Sequence, residues 1–332
     1  MNVLYTCDNN YVWLMGVSTI SLFESNKHIK NLTVYLLGDG ISDENKKELE
    51  NIAERYSRNI ITIDIPQFNI PESLVSARWP LSAFTRLYSP QLLPDEVDRI
   101  LYLDCDTIVS GDIETLETLH FEGKTVLGVK DCISGIYKRN IGLKKDSIYI
   151  NAGVLLFNVS ALRSEDINAQ IDIYMRKYEK FINYADQDIL NGIFAGKIGE
   201  LDARYNIMTI DVVHSYREIL KIRRPTSFYT EREFYNAREC PAIIHYTTNM
   251  LVIRPWYINT NHPLANEFKK YMKISPWKEK TLPKMVFKTG ESKIIFIINK
   301  LPKTIAYWFL GLIHSEFKPR FIYLKARIGG RK

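Results

Sequence analysis

The sequence predicts an α/β protein: a mostly parallel mixed sheet flanked by helices, followed by a basic helical extension. Three observations carry this reading. The first 65 residues alternate strand and helix patterns. Two carboxylates, Asp104 and Asp106, follow directly on a clean apolar strand. Beyond residue 268 the composition turns basic. Alternation of strands with helical segments argues for parallel strands joined by crossovers.

Val3–Thr6 reads as a first strand, ending at Asp8-Asn9-Asn10. Tyr11 to Phe23 is apolar nearly all round and reads as a buried helix. Leu32–Leu37 is a second strand, closed by Gly38-Asp39-Gly40. Ser42 is a helix cap, with Asp43 and Glu44 in the first turn where the helix dipole favours anions. Leu49, Ile52, Ala53 and Tyr56 keep helical spacing behind it. Ile60–Ile65, stopped by Pro66, is a third strand, Arg99–Leu103 a fourth and Thr125–Val129 a fifth. Ala152–Phe157 is a further apolar strand. Ile167, Ile171, Tyr174, Tyr178 and Phe181 mark a long helix, Ile189 to Phe194 another, and Ala242–His245 a late strand.

Composition narrows the class. With 46% hydrophobic residues, 332 residues suffice for one large domain or two modest ones. Of the net charge of +6, Lys269–Lys332 holds +13 (16 Lys and Arg against 3 Asp and Glu), which leaves −7 on the residues before it. Cys7, Cys105, Cys132 and Cys240 are far apart, so neither a zinc site nor a disulfide framework is expected. No secretory leader and no run of about 18 apolar residues is evident, and the cytoplasm is the expected compartment.

The chemistry concentrates in a few segments. In Ile100-Leu-Tyr-Leu-Asp104-Cys105-Asp106, residues i and i+2 of an extended chain point to one side, so both carboxylates can meet one hard cation, Mn²⁺ or Mg²⁺. Ligands in open α/β sheets sit beyond the carboxyl ends of strands, where this pair falls. His245 ends its strand and is either a third ligand or a hydrogen-bonded structural histidine. Asp186-Gln187-Asp188 opens a helix and, taken alone, reads as a cap. Asn151-Ala152-Gly153 begins a strand at a point that permits close approach. Arg86 serves either a phosphate or a plain salt bridge.

The segments Thr6-Cys-Asp8-Asn9-Asn10-Tyr11, Phe84-Thr-Arg86-Leu-Tyr88, Leu101-Tyr-Leu-Asp104-Cys-Asp106, Tyr149-Ile-Asn151-Ala-Gly153, Asp186-Gln187-Asp188-Ile-Leu-Asn191-Gly192 and His245-Tyr with Pro255-Trp256 occur in one order. Together they resemble the retaining glycosyltransferases of family 8, over roughly residues 1–275. The resemblance implies a GT-A fold and a hexosyl transfer from UDP-glucose or UDP-galactose to a glycan or glycolipid acceptor, in bacterial surface polysaccharide or lipooligosaccharide assembly. It implies that Asp8 and Asn10 hold the uracil with Tyr11 stacked on it. Asp104, Asp106 and His245 would ligate Mn²⁺ or Mg²⁺. Arg86, Asp131 and Asn151 would contact the sugar, with Cys105 and Ala152 in the same donor-binding stretches. Asp186 and Gln187 would flank the anomeric carbon, with Asp188 the further catalytic candidate. One stretch departs from the family: between His245 and Pro255 the chain is longer, lacks the usual Gly, and carries Arg254 where a Lys is usual. Arg254 is a candidate for the diphosphate.

After Pro276, apolar patches (Ile294–Ile298 and Ile305–Ile313) sit among Lys293, Lys300, Lys303, Lys318, Arg320, Lys325 and Arg327. Residues 276–332 are therefore expected to associate with the inner membrane face, apolar side chains in the headgroup boundary and cations toward anionic lipid. Nucleic acid is not an expected partner, since no recognised motif accompanies the charge. Two alternatives stand beside the transferase. One is a non-catalytic nucleotide-sugar-binding module. The other is a haloacid dehalogenase-type phosphatase, to which Asp104-Cys-Asp106-Thr107 has a superficial likeness.

Overall fold

The computed structural model describes residues 1–65, 81–287 and 300–328. The patch Ile294–Ile298 and Lys293 lie outside them. The chain opens β1 (Asn2–Asp8), α1 (Val12–Ser25), β2 (Thr33–Asp39), α2 (Asp43–Tyr56) and β3 (Asn59–Asp64). These pair in parallel, as the alternation predicts. Helix α1 is buried from Val12 to Phe23, and Ser42 caps α2 by accepting from the Asn45 N–H.

Next come α3 (Leu81–Leu92), β4 (Arg99–Leu103), β5 (Thr107–Val109), α4 (Thr115–Thr118), β6 (Val126–Lys130), α5 (Gly135–Asn140), β7 (Ile150–Asn158), α6 (Val159–Arg163), α7 (Ile167–Tyr178) and α8 (Ala185–Ile193). The body continues with β8 (Ile198–Glu200), β9 (Ile207–Met208), α9 (Thr209–Val213), α10 (Tyr216–Arg223), α11 (Glu231–Glu239), β10 (Ile243–His245) and α12 (Ala265–Met272). Among the described residues the main sheet has the order β3-β2-β1-β4-β7-β6-β8, and a small sheet has the order β5-β10-β9. β4 lies parallel to β1, whereas β7 runs antiparallel to both β4 and β6. The start of β7 therefore stands beside the end of β4.

Strand alternation builds a core on each face. Val3, Tyr5, Leu101, Leu103, Val154 and Leu156 join the core under α1, which α12 packs against in turn. Leu4, Ile100, Tyr102, Leu155 and Phe157 join the opposite core, under α3 and α8. Only a sheet covered on both sides makes such strands apolar throughout.

The basic composition begins near Pro276, but the packing does not stop there. Trp277 lies against Gly16 and donates from Nε1 to Asn45 Oδ1. Met285 and Asn259 exchange two hydrogen bonds. These contacts carry the packing against the body from Trp277 to Met285. The last described elements, α13 (Lys303–Gly311), a π-helical turn (Leu312–Phe317) and α14 (Lys318–Ile328), dock on α5 and α10 through small residues. Gly311 sits so close that a Cβ would stand 2.2 Å from Lys221 O, and Ser315 Oγ shares its one proton between Ile222 O and Arg223 O.

Candidate active site

The expected residues converge at the carboxyl edge of the main sheet. Asp104 follows β4, and its N–H donates to Gly153 O of β7 at 2.8 Å. The chain then turns rather than staying extended, with Thr107 N–H donating back to Asp104 O. The i, i+2 argument is thus corrected. A turn, not a pleat, aims Asp104 and Asp106 the same way, and it sends the Cys105 thiol inward to Thr6 O at 3.6 Å. Cys105 is a buried free thiol, and a hydrogen bond with the Cys7 thiol together with burial holds it well above its usual range. Only its backbone is left to face a ligand.

β10 pairs antiparallel with β5 and places His245 opposite Thr107. His245 Nε2 lies 3.1 Å from Asp106 Oδ1 and 3.6 Å from Asp104 Oδ2. One ligand atom from each of these three side chains lies within 4.8 Å of the others. Two hard carboxylate oxygens and an imidazole nitrogen form a donor set that suits a divalent ion. Gly153 leaves the room: a Cβ there would meet His245 Cε1 at 2.1 Å and Asp104 Oδ2 at 2.9 Å. Burial alone would depress the His245 pKa, but Asp106 and Asp104 outweigh it and raise it. Reciprocally, burial pushes Asp106 up and His245 more than reverses it.

Arg86 stands behind these carboxylates, on α3. Its guanidinium reaches Asp104 Oδ1 at 2.9 Å and Asp186 Oδ2 at 3.0 Å, donates to Ala152 O at 2.7 Å, and lies 4.6 Å over the Tyr102 ring. Burial opposes its charge, yet Asp104 and Asp186 raise its pKa above the ordinary value. Tyr102 Oη donates to the same Asp104 oxygen at 2.7 Å. Burial lifts Asp186 to about 6 even with Arg86 pulling it down.

Helix α8 presents Asp186 and Gln187 from a strained start, with Ala185 at φ 43°. Asp188 pins that start. Its Oδ2 accepts from Asn183 and Tyr184 N–H at 2.7 and 2.8 Å, and its Oδ1 from Tyr149 Oη at 2.6 Å. Both oxygens are so engaged, and in this state Asp188 braces the entry to α8 beside Asp186 and Gln187. Gln187 Oε1 accepts from Asn151 Nδ2 and Ala152 N–H, and its Nε2 donates to Asp131 Oδ2 and Tyr149 Oη.

At the end of β1, Asp8 Oδ1 accepts from Asn10 N–H at 2.8 Å. Asn10 and Tyr11 are exposed there. Burial raises the Tyr11 pKa, with Arg254 opposing the rise and Asp106 and Asp8 adding to it. Arg254 reaches Asp106 Oδ2 at 3.9 Å, bonds Thr248 Oγ1 and lies over Trp256. The longer loop after His245 therefore still delivers a guanidinium to the carboxylates. Tyr102 and Asn206 had no role in the sequence reading. Tyr102 was hidden as one more apolar strand residue, and Asn206 stands in no motif.

The profile of Glycosyl transferase family 8 matches residues 2–259. The chain belongs to glycosyl transferase family 8. Its relatives include General stress protein A of Bacillus subtilis, 26% identical over 83% of this chain and 94% of that protein. Another is the lipopolysaccharide 1,2-glucosyltransferase of Escherichia coli (strain K12), 26% identical over 84% of this chain and 79% of the relative. Among solved structures, the galactosyltransferase LgtC in complex with donor and acceptor sugar analogues superposes with a TM-score of 0.68 at 23% identity, over 85% of this chain and 100% of the other. That likeness establishes the GT-A fold. As a family 8 member the chain is a retaining glycosyltransferase and a hexosyltransferase, which sets aside the phosphatase and the inactive binding module. Enzymes of this fold generally use a divalent metal, and the Asp104–Asp106–His245 cluster is a candidate donor set for one.

Proposed function

We propose that this family 8 enzyme transfers glucose or galactose, with retention, from a UDP-sugar to a glycan or lipid-linked acceptor in bacterial surface polysaccharide or lipooligosaccharide assembly. The observation that carries the reading is the meeting of Asp104, Asp106 and His245 beside Arg86, Asp186 and Gln187. The glucosyl- and galactosyltransferase names of the relatives support the choice of hexose.

Asp8, Asn10 and Tyr11 are assigned to the uracil. Asp104, Asp106 and His245 would hold Mn²⁺ or Mg²⁺, which when bound supplies Lewis-acid neutralisation of the charge on the departing diphosphate. Arg254 adds a cation on that side. Arg86, Asp131, Asn151 and the Ala152 backbone line the sugar side, with the Cys105 backbone between the two carboxylates. Asp186, charged above pH about 6, grips sugar hydroxyls near the anomeric carbon. Gln187 orients the sugar from a locked amide, and Asp188 holds the loop that presents both.

A panel of UDP-sugars with Mn²⁺ tests the donor. UDP release from UDP-glucose or UDP-galactose, with an α-configured product by NMR, is expected. Turnover of only a different nucleotide sugar would refute the assignment.

The C-terminal helices α13 and α14, with the π-helical turn between them, are assigned to membrane association on the cytoplasmic face. No described helix is long and apolar enough to cross a membrane. Instead α13, the π turn and α14 bury Ala306, Gly311, Ser315, Pro319 and Ala326 and turn Trp308, Phe309, Ile313, Phe317, Phe321 and Leu324 outward. A helix that docks its small residues and exposes its large apolar ones, with Lys318, Arg320, Lys325 and Arg327 beside them, suits an anionic lipid surface. Full-length protein should float with vesicles containing anionic phospholipid, and Trp308→Glu with Phe321→Glu should leave it at the bottom of the gradient. Equal flotation of the double variant would reject this surface.

A further inference from the structure

We propose that Asn206 is a positioning residue for both halves of the site. It selects which imidazole nitrogen of His245 faces the metal position and, through Asn151, backs the orientation of the Gln187 amide. The inference rests on the metal and sugar roles assigned above.

Asn206 lies between the turn Ala203–Tyr205 and β9, fully buried. Its Oδ1 is 3.0 Å from His245 Nδ1, and its Nδ2 donates to Asn151 Oδ1 at 2.9 Å. Asn151 Nδ2 donates to Gln187 Oε1 at 3.0 Å, and Gln187 Nε2 to Asp131 Oδ2 at 3.0 Å. Four hydrogen bonds thus join a metal ligand to the sugar side through three amides.

The direction of this chain is forced by backbone. Gly153 N–H donates to the Asn151 side chain at 2.9 Å and Ala152 N–H to the Gln187 side chain at 3.1 Å. A peptide N–H only donates, so the atoms it meets are the carbonyl oxygens of both amides. Asn151 then turns its NH₂ to Gln187 and offers its oxygen to Asn206. Asn206 must answer with its own NH₂, which leaves its oxygen for His245. A carbonyl oxygen only accepts, so His245 carries a proton on Nδ1 and presents Nε2 to Asp104 and Asp106. Two N–H groups of β7 set the tautomer of a histidine from β10 by way of Asn206. A hydrogen bond that fixes a ligating imidazole in this manner tunes metal affinity.

Aspartate at 206 would still accept from His245 but has no donor for Asn151. Leucine offers neither. The two variants therefore separate the two roles. Titration of full-length protein with MnCl₂ alone, followed by the EPR signal of free Mn²⁺, is compared with kcat and KM for UDP release and with the melting temperature. Asn206→Leu should weaken Mn²⁺ binding about 10- to 100-fold. Asn206→Asp should restore wild-type Mn²⁺ binding yet keep a lowered kcat at unchanged KM. If Asn206→Leu does not fold, the Asp variant decides alone: lost Mn²⁺ affinity, or a wild-type kcat, overturns the proposal. A folded Asn206→Leu that binds Mn²⁺ as the wild type does overturns it too. His245→Ala is the control. If that variant binds Mn²⁺ as well as the wild type, the metal assignment itself fails, and the Asn206 proposal with it.

Discussion

Gly153→Ala is expected to lower kcat for UDP release by at least about 100-fold while the protein still folds. A Cβ at 153 would stand 2.1 Å from His245 Cε1, 2.6 Å from its Nδ1 and 2.9 Å from Asp104 Oδ2. Contacts under 3.0 Å force something to move. The strand cannot yield easily, because Gly153 N–H is bound to Asn151 and Gly153 O to the Asp104 N–H. The imidazole must shift instead, breaking its bond to Asn206 and parting from Asp106. A misplacement of about 1 Å costs about 100-fold in rate. Overpacking one methyl costs roughly 1–3 kcal/mol of stability, which a domain of this size survives. Kinetics and a thermal melt on the same preparation check both halves. A variant with wild-type kcat would mean that His245 and Asp104 need not be this close.

Arg86→Ala is expected to damage stability and turnover together. The guanidinium is the cation held between Asp104 and Asp186, with 8% of its side chain exposed. Removing one partner of a buried ion pair costs roughly 3–5 kcal/mol, because the remaining charge stays buried. Asp186 makes the loss pH-dependent. Burial already lifts its pKa to about 6, and Arg86 pulls it down more than its backbone hydrogen bond does, so the variant raises it further. An acid whose folded pKa exceeds its unfolded one adds stability below the unfolded value, near 4, and loses it as pH rises through the folded one. The melting temperature gap between wild type and Arg86→Ala should therefore widen from pH 5 to pH 8. Arg86→Lys keeps the charge but not the fork that spans both carboxylates and Ala152 O, and should recover stability only in part. A pH-independent gap would contradict this electrostatic account.

Much of the site was legible because its carriers lie at element ends that local patterns mark. Asp104 follows an apolar strand, Ser42 caps a helix, and β1 to β3 alternate with helices, each readable within a dozen residues. The turn at Cys105 was not legible, since two carboxylates two apart look the same in a strand or a turn. Asn206 and Tyr102 were hidden because their roles come from residues far away in sequence: Asn206 meets His245 39 positions on, and Arg86 lies over Tyr102 from another element. The reversed face of α13 and α14 was half visible. Apolar and basic residues were evident, but only the docking of Gly311 and Ser315 tells which side faces out.

The central claim is that Asp104, Asp106 and His245 form the metal-dependent centre of a nucleotide-sugar transferase. Acceptor-free UDP release, measured with and without Mn²⁺ for wild type and Asp106→Ala, tests it most directly. The account predicts release that requires the metal and is lost in Asp106→Ala by orders of magnitude, since the variant removes charge stabilisation that only the transition state feels in full. Release that persists without metal, or that survives the Asp106→Ala change, would contradict it.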